Sequence, residues 1–222
     1  MNLRVYSVWP GTRVNGPGLR FLIHLQGCSR RCPGCFNPDT HDPAGGWEMK
    51  TEDLVQEISD AVQHAEYHGR PSPGAGAEKV EPFEGTPAIE GITISGGEPL
   101  EQAEALAEFL GLLRRREPDL SVVIYSGFTR DEIARTPVGR RVLELADVLI
   151  DGPFVESLAT DDGIRGSTNQ VLHILTGRYG PEDFPPKSGS FEIRIQPDGT
   201  VALTGFPPPE VREAVARRVR GA

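Results

Sequence analysis

Cysteine is scarce in this sequence, which contains only three in 222 residues. A secreted disulfide scaffold needs many paired cysteines, so this usage excludes that class and favours a reducing, cytoplasmic compartment. The chain also has no fourth cysteine to complete a closed four-thiolate zinc site or a fully cysteine-ligated cubane cluster. A metal centre built on the three cysteines therefore lacks one cysteine ligand.

Long apolar runs and an excess of basic residues are lacking as well. No apolar stretch approaches the ~20 residues of a membrane span, and the first ten residues do not have the apolar core of a secretory signal. The 23 lysines and arginines are outnumbered by 32 aspartates and glutamates, which gives a formal net charge of -9. Since nucleic-acid binding needs concentrated basic residues, we expect a soluble cytoplasmic protein that binds neither nucleic acid nor membrane.

The three cysteines that are present lie within eight residues. Cys28, Cys32 and Cys35 have the spacing C-x-x-x-C-x-x-C, with a Pro-Gly pair that allows the chain to bend around one centre. Thiolates select iron-sulfur clusters, zinc or copper(I). The economical interpretation is a 4Fe-4S cluster whose fourth iron is open to a substrate or cofactor. The alternative is a structural zinc site with His24 or His41 as the fourth ligand.

Apolar residues recur with the spacing of strands and helices along most of the chain. Strands that alternate with helices favour parallel pairing through right-handed crossovers, so the predicted fold class is α/β, either a sheet or a partial (β/α) barrel. The pattern predicts strands at 2–8, 19–26, 91–95, 120–125, 148–150 and 170–175, and helices at about 52–67, 101–116 and 140–146, with a short helix that begins at the capping box of Thr129 and Glu132.

Two segments depart from this alternation. Residues 69–88 are rich in proline, glycine and glutamate, so we expect an exposed loop inserted in the core. Near the C-terminus, two short apolar runs flank Asp198-Gly199 and predict a hairpin, and a stripe of valines predicts a final helix. We therefore expect a core of residues 1–177 and a C-terminal hairpin plus helix, residues 178–222, packed on that core.

Several motifs directly follow predicted parallel strands. The cysteine loop, the turn Gly96-Gly97, Ser126 and Asp151 each come at or just after the end of one such strand. In parallel α/β folds, the loops that follow the strands converge at one edge, where chemistry gathers. The sequence therefore predicts that all four belong to one site.

The cysteine spacing is the signature of the radical S-adenosylmethionine superfamily, which this chain resembles. Further motifs resemble the glycyl-radical-enzyme activating enzymes, and two of them look most like the activase of anaerobic ribonucleoside-triphosphate reductase. The resemblance implies a partial (β/α) barrel of the radical SAM type. These motifs are NGPGLRF at 15–21, FNPDT at 36–40 and SGGEP at 95–99, and the two most like the reductase activase are DVLIDGPF at 147–154 and RGSTNQ at 165–170.

This resemblance implies two cofactors and a radical reaction. The open iron of a 4Fe-4S cluster would chelate S-adenosylmethionine, which is cleaved reductively so that a glycine of a partner enzyme receives the radical. Gly96 and Gly97 lack side chains, so their backbone can approach the methionine end of this cofactor. By resemblance, Glu98 accepts hydrogen bonds from the ammonium group or from the loop itself, and Pro99 fixes the exit into the following helix.

The resemblance also assigns the remaining site residues and the partners. It implies that Ser126 lies near the ribose, Asp151 near the cofactor or a cation, and that Asn169 and Arg165 contact the cofactor carboxylate or the incoming glycyl loop. The expected partners are a glycyl radical enzyme, with anaerobic ribonucleotide reductase first, and a flavodoxin or ferredoxin as electron donor.

Two other functions remain open from the sequence. One is radical chemistry on a small molecule or peptide, as in deazapurine-forming relatives, because residues 69–88 and the C-terminal tail are additions that compact reductase activases lack. The other is an iron-sulfur or zinc binding protein without catalysis. An electron carrier would, however, need a cluster with all its irons ligated by cysteine.

Overall fold

The computed structural model describes residues 1–63, 88–185, 190–195, 201–208, 210, 211 and 213–215. Seven of the described strands form one sheet, in the order β3-β1-β2-β4-β5-β6-β7. The predicted loop at 69–88 lies outside the described residues except for its last position. The strands are β1 Asn2–Thr12, β2 Arg20–Leu25, β3 Trp47–Lys50, β4 Gly91–Gly96, β5 Ser121–Tyr125, β6 Val148–Asp151 and β7 Val171–Ile174.

The centre of the sheet is parallel. β2, β4, β5 and β6 pair in parallel in that order, and helices connect β4 to β5 and β5 to β6. This confirms the α/β prediction. Within the described part of the chain, β3 and β7 stand at opposite ends of the strand order and do not pair with each other, so the sheet is open.

The edges of the sheet differ from the sequence prediction. β1 runs antiparallel to β2 and β7 antiparallel to β6, whereas the prediction from alternating strands and helices was parallel pairing. The chain between β6 and β7 contains only a short 3-10 turn, and without a crossover helix the next strand returns in the opposite direction. β3 was not predicted, because its four residues directly precede a helix and are too few to show alternation.

The helices form a layer on one face of the sheet. Phe21, Ile23 and Leu25 of β2 belong to the main hydrophobic core, together with the apolar faces of the longer helices. Arg20 and His24 alternate with them and therefore lie on the opposite face. The helices are α1 Thr51–Gln63, α2 Ala103–Arg116, α3 Arg130–Ala134 and α4 Pro137–Leu145.

Two helix predictions can be compared in detail. The capping box at the start of α3 is confirmed, with Thr129 and Glu132 bonded to each other's backbone amides. α1 is confirmed up to Gln63, and the remainder of the predicted helix, 64–67, lies outside the described residues.

The C-terminal hairpin is confirmed as a separate two-stranded antiparallel sheet. Its strands are β8, Phe191–Ile195, and β9, Val201–Gly205. The turn between them lies outside the described residues, as does most of the predicted final helix, of which 210, 211 and 213–215 are helical. The division of the chain at residue 177 stays a prediction. Among the described helices, none is both long and apolar enough to span a membrane.

Candidate active site

An open cavity of about 140 Å³ lies at the C-terminal ends of the parallel strands. Its wall combines the cysteine loop that follows β2 with the turns that follow β4, β5 and β6. The residues predicted from the sequence that line it are Cys28, Cys32, Cys35, Gly96, Gly97, Glu98 and Ser126.

The backbone fixes the shape of the cysteine loop. The amide of Cys28 donates to the carbonyl of His41 at 3.2 Å, and the amide of Cys35 donates to the carbonyl of Cys32 at 3.2 Å. Two residues of the loop have a left-handed backbone conformation: Arg31, with φ +46°, directly before Cys32, and Gly34, with φ +67°, directly before Cys35. All three cysteine side chains are therefore presented to one cavity, each half-buried.

The surroundings of the sulfur atoms suit thiolate ligands of a cluster. The amide of Asn37 donates to the Cys35 sulfur at 3.4 Å, which is the kind of N–H to sulfur contact that tunes iron-sulfur centres. Burial raises the pKa of the Cys28 thiol, while the backbone amides of Arg31 and Arg30 act in the opposite direction. Cationic iron at the site would stabilise the thiolate form that burial alone disfavours.

The fourth ligand expected for a single zinc ion is His24 or His41, and both line the cavity. Among the described residues, no three cysteine, histidine or acidic side chains already surround one point closely enough to hold a single ion. His24 is buried, bonds to the Ser7 hydroxyl through Nδ1 at 2.9 Å, and has its pKa lowered to about 4 by burial. His41 lines the cavity, and its Nε2 is buried without a hydrogen-bond partner in the part of the chain that the structure describes.

The two glycines after β4 are required by the backbone beside them. A Cβ on Gly97 would lie 2.2 Å from the carbonyl oxygen of Gly27, and one on Gly96, at φ +96°, would lie 2.6 Å from that of Leu25. The amides of Gly97 and Glu98 donate to these same carbonyls, both at 2.8 Å. The glycine turn is thus bound directly to the backbone that leads into Cys28.

Glu98 connects the turns that follow β4 and β5. Its carboxylate accepts hydrogen bonds from the Leu100 amide at 3.0 Å, the Ser126 hydroxyl at 2.8 Å and the Gly127 amide at 2.7 Å. It is almost completely buried, and burial raises its pKa although these donors and Arg30 oppose that shift. The sequence analysis expected Glu98 to accept hydrogen bonds either from the ammonium group of the cofactor or from its own loop. The hydrogen bond from the Leu100 amide is of the second kind.

Arg30 extends this connection to the cysteine loop. Its Nε lies 3.7 Å from the Glu98 carboxylate, which is the distance of an ion pair rather than of a hydrogen bond. Its guanidinium also lies over the Phe128 ring, 4.1 Å from the centroid. The cysteine loop, the glycine turn and the turn after β5 are therefore held together through one acidic and one basic side chain.

The remaining predicted residues lie beside the cavity rather than in its wall. Pro99 begins the 3-10 turn before α2. The Asp151 carboxylate accepts a hydrogen bond from the Arg130 amide and lies 3.0 Å from Nε2 of His173, without hydrogen-bond alignment. Asn169 donates to the Pro153 carbonyl at 2.8 Å. Their predicted contacts with a cofactor stay predictions.

Arg165 has a structural role in the same segment. It bonds to Asp162 and to the carbonyl groups of Thr168 and Gln170, and so shapes the loop before β7. Gly166 and Gln170, rather than Asn169, contribute this segment's part of the cavity wall.

Sequence reasoning missed two features of the site. One lies in the sheet that supports the site: Arg20, fully buried at the start of β2, whose guanidinium donates to Thr93 at 2.7 Å and to the Ser121 carbonyl at 3.1 Å. An arginine next to the apolar run of residues 21–23 was the available signal. The other is a set of aromatic rings in the cavity wall, in which Phe36 contacts Phe154 and Phe206. These residues lie far apart in the sequence, so no local pattern predicts their contact.

Three cysteines in a strand-end cavity that is built around a glycine turn define the class as an iron-sulfur enzyme. The family model described as a 4Fe-4S single cluster domain matches residues 14–173. The chain is 29% identical over 180 residues to the anaerobic ribonucleoside-triphosphate reductase-activating protein of Salmonella typhimurium, and 30% identical over 179 residues to that of Vibrio cholerae. Each match covers 78% of this chain and 99% of the relative.

A second kind of activating enzyme matches over a shorter length. The pyruvate formate-lyase-activating enzyme of Listeria monocytogenes is 32% identical over 148 residues, which cover 66% of this chain and 51% of that protein. The chain belongs to the 4Fe-4S single cluster domain family and is a glycyl-radical-enzyme activase of the radical SAM type. Its cofactor is an iron-sulfur cluster, and its partner is a glycyl radical enzyme.

Proposed function

We propose that this protein binds one 4Fe-4S cluster through Cys28, Cys32 and Cys35, cleaves S-adenosylmethionine, and installs a glycyl radical on an anaerobic ribonucleotide reductase. The observation that carries the proposal is the position of all three cysteines in one cavity with the Gly96-Gly97 turn. The names of the relatives that match along nearly their whole length support the choice of partner. The proposed fold is the partial (β/α) barrel of the radical SAM type.

The reaction needs a one-electron reductant and a closed site. Cys28, Cys32 and Cys35 would hold the cluster, which would supply the one electron that cleavage of the S–C5′ bond of S-adenosylmethionine requires; the products would be methionine and 5′-deoxyadenosine, the latter carrying the hydrogen atom removed from the glycine Cα. A flavodoxin or ferredoxin is the proposed source of the electron.

The protein's own residues supply position and exclusion of water. Gly96 and Gly97 have no side chains, so ligand atoms can come close to the backbone of the cavity wall. Glu98 and Ser126 hold that wall in place through their 2.8 Å hydrogen bond. The Ser126 hydroxyl also accepts from the Phe128 amide at 3.0 Å, so its proposed part is to anchor the turn that would lie near the ribose.

The experiment that tests the function is radical transfer to the reductase. The anaerobically reconstituted protein is mixed with an anaerobic ribonucleotide reductase, S-adenosylmethionine and a reductant, and the reductase is examined by electron paramagnetic resonance. We expect a glycyl doublet that is lost when the target glycine is replaced by alanine. Production of 5′-deoxyadenosine without a radical on the reductase would reject this partner and favour a small molecule or peptide substrate.

A further inference from the structure

The C-terminal hairpin forms part of the cavity wall, although it lies outside the segment that defines the family. The family match ends at residue 173. The alignment with the Salmonella typhimurium relative uses 78% of this chain and already covers 99% of that protein. Yet Thr204, Gly205 and Phe206, at the end of β9, line the cavity together with the three cysteines. The hairpin is thus an addition that reaches the reactive centre.

Specific contacts anchor the hairpin on the core. Arg194 of β8 donates to the carbonyl of Gly11 at 2.9 Å, and its guanidinium lies 4.5 Å from the centroid of the Trp9 ring. Glu192 accepts a hydrogen bond from the Arg13 amide at 2.8 Å. These contacts fix β8 against the end of β1 and so determine where β9 meets the cavity.

Thr204 bonds the hairpin to the floor of the cavity. It is buried, and its hydroxyl donates to Oδ1 of Asn15 at 3.0 Å. Asn15 is itself held by Thr93 of β4, whose hydroxyl donates to the Asn15 carbonyl at 2.7 Å. The hairpin is therefore connected through two hydrogen bonds to the central parallel sheet.

Phe206 contacts the aromatic ring that directly follows the cysteine loop. Its ring lies 5.8 Å from that of Phe36, with an interplanar angle of 72°, and 6.3 Å from that of Tyr125. Phe36 directly follows the ligand Cys35 and also contacts Phe154 edge-on at 5.3 Å. The hairpin thus completes an apolar aromatic wall next to the reactive centre.

We propose that Phe206 and Thr204 are positioning residues, which shield the cysteines from solvent on the hairpin side of the cavity and guide the entry of the partner's glycine-bearing segment. This inference rests on the proposed function. An aromatic wall next to the cysteines excludes the water and reductant that would quench a reactive intermediate. A segment with little side-chain bulk around the target glycine would pass such a wall with the fewest steric clashes.

The consequence is a coupling between cofactor cleavage and radical transfer. With the wall intact, cleavage is productive because the glycine Cα is held close to the reactive carbon. Without it, the cofactor is still cleaved, but more of the 5′-deoxyadenosine forms without a radical on the partner. The cluster also becomes more accessible from solvent.

The test compares Phe206→Ala and Thr204→Val with the wild type. Phe206→Leu serves as the conservative variant that keeps the bulk, and Ile195→Ala as the control, since Ile195 is on the same hairpin and 76% exposed. Two readouts are used on the reconstituted full-length protein under anaerobic conditions. The first is the rate at which a ferrous chelator bleaches the cluster, and the second is the ratio of 5′-deoxyadenosine formed to glycyl radical formed.

We expect the chelator to bleach the cluster of Phe206→Ala several times faster than that of the wild type. The ratio of 5′-deoxyadenosine to glycyl radical should rise roughly tenfold. Thr204→Val should change both readouts in the same direction, while Phe206→Leu and Ile195→Ala stay close to wild type. Wild-type bleaching and an unchanged ratio in both Phe206→Ala and Thr204→Val would overturn the inference. If the wild type itself makes no glycyl radical on the reductase, the proposed function fails, and the bleaching rates still decide whether the hairpin shields the centre.

Discussion

The Ser126 hydroxyl donates a 2.8 Å hydrogen bond to the Glu98 carboxylate and thereby joins the ends of two neighbouring parallel strands. Ser126 follows β5 and Glu98 follows β4, and both line the cavity that contains the three cysteines. The other carboxylate oxygen accepts from the Gly127 amide at 2.7 Å. One buried carboxylate therefore determines how far apart the two turns of the site lie.

Replacing Glu98 by glutamine should loosen this connection. Glutamine has one acceptor oxygen and one donor group, so a buried donor on the β5 turn or on the glycine turn is left without a partner. We expect the free energy of unfolding to fall by about 1–3 kcal/mol, measured by urea denaturation. Glu104→Gln on the exposed side of α2 is the matched control and should change little. Equal stability of the two variants would show that the Glu98 contacts are not structural.

Arg20 should be essential for the fold. Its guanidinium is fully buried and bonds to neutral acceptors on β4, on β5 and in the loop before β2, among them Thr93 and the carbonyls of Pro17 and Ser121. Arg20→Met leaves several buried acceptors unsatisfied, so we expect a loss of about 3–5 kcal/mol in unfolding free energy. Arg115→Met on the exposed side of α2 is the control. A small effect of Arg20→Met would mean that water or neighbouring groups replace the guanidinium.

His24 should make the stability depend on pH. Its pKa is about 4 in the folded protein because of burial, against about 6.5 when unfolded. The unfolded chain therefore binds a proton that the folded protein does not, and stability falls as the pH is lowered through this range. We expect the wild type to lose about 2 kcal/mol more than His24→Gln between pH 7 and pH 5, in denaturation curves at each pH. Parallel losses in both proteins would contradict the assignment.

Cys32 should be required for the cluster and dispensable for the polypeptide fold. Cys32→Ala removes one of three ligands from a half-buried loop. We expect the reconstituted variant to lose the absorbance of an intact 4Fe-4S cluster and most of its bound iron, while its circular dichroism spectrum stays that of the apo protein. Ser29→Ala, in the same loop, should bind iron normally. An intact cluster in Cys32→Ala would overturn the ligand assignment.

The sequence predicted the part of the site that local patterns encode. Short, largely apolar runs located the central strands, and the order of strand and helix indicated parallel pairing, which brings the cysteine loop, Gly97 and Ser126 to the same edge of the sheet. The capping box of Thr129 and Glu132 was predictable because both partners lie within one turn.

What could not be predicted depends on contacts between distant segments. The hydrogen bond between Thr204 and Asn15 joins residues at opposite ends of the chain. The placement of Asp151 against the Arg130 amide, beside the cavity rather than in its wall, depends on the packing of α3. β7 pairs antiparallel with β6 because the loop between them contains no crossover helix. The residue pattern of β7 itself does not indicate in which direction the strand runs.

The central claim is that the three-cysteine cavity cleaves S-adenosylmethionine reductively. The most direct measurement is the formation of 5′-deoxyadenosine after anaerobic reconstitution with iron and sulfide, reduction, and addition of S-adenosylmethionine. We expect product from the wild type, well above a control without cluster, and none above that control from Cys32→Ala. Absence of product from a wild-type protein that holds a verified, reducible 4Fe-4S cluster would contradict the account, as would wild-type levels of product from Cys32→Ala.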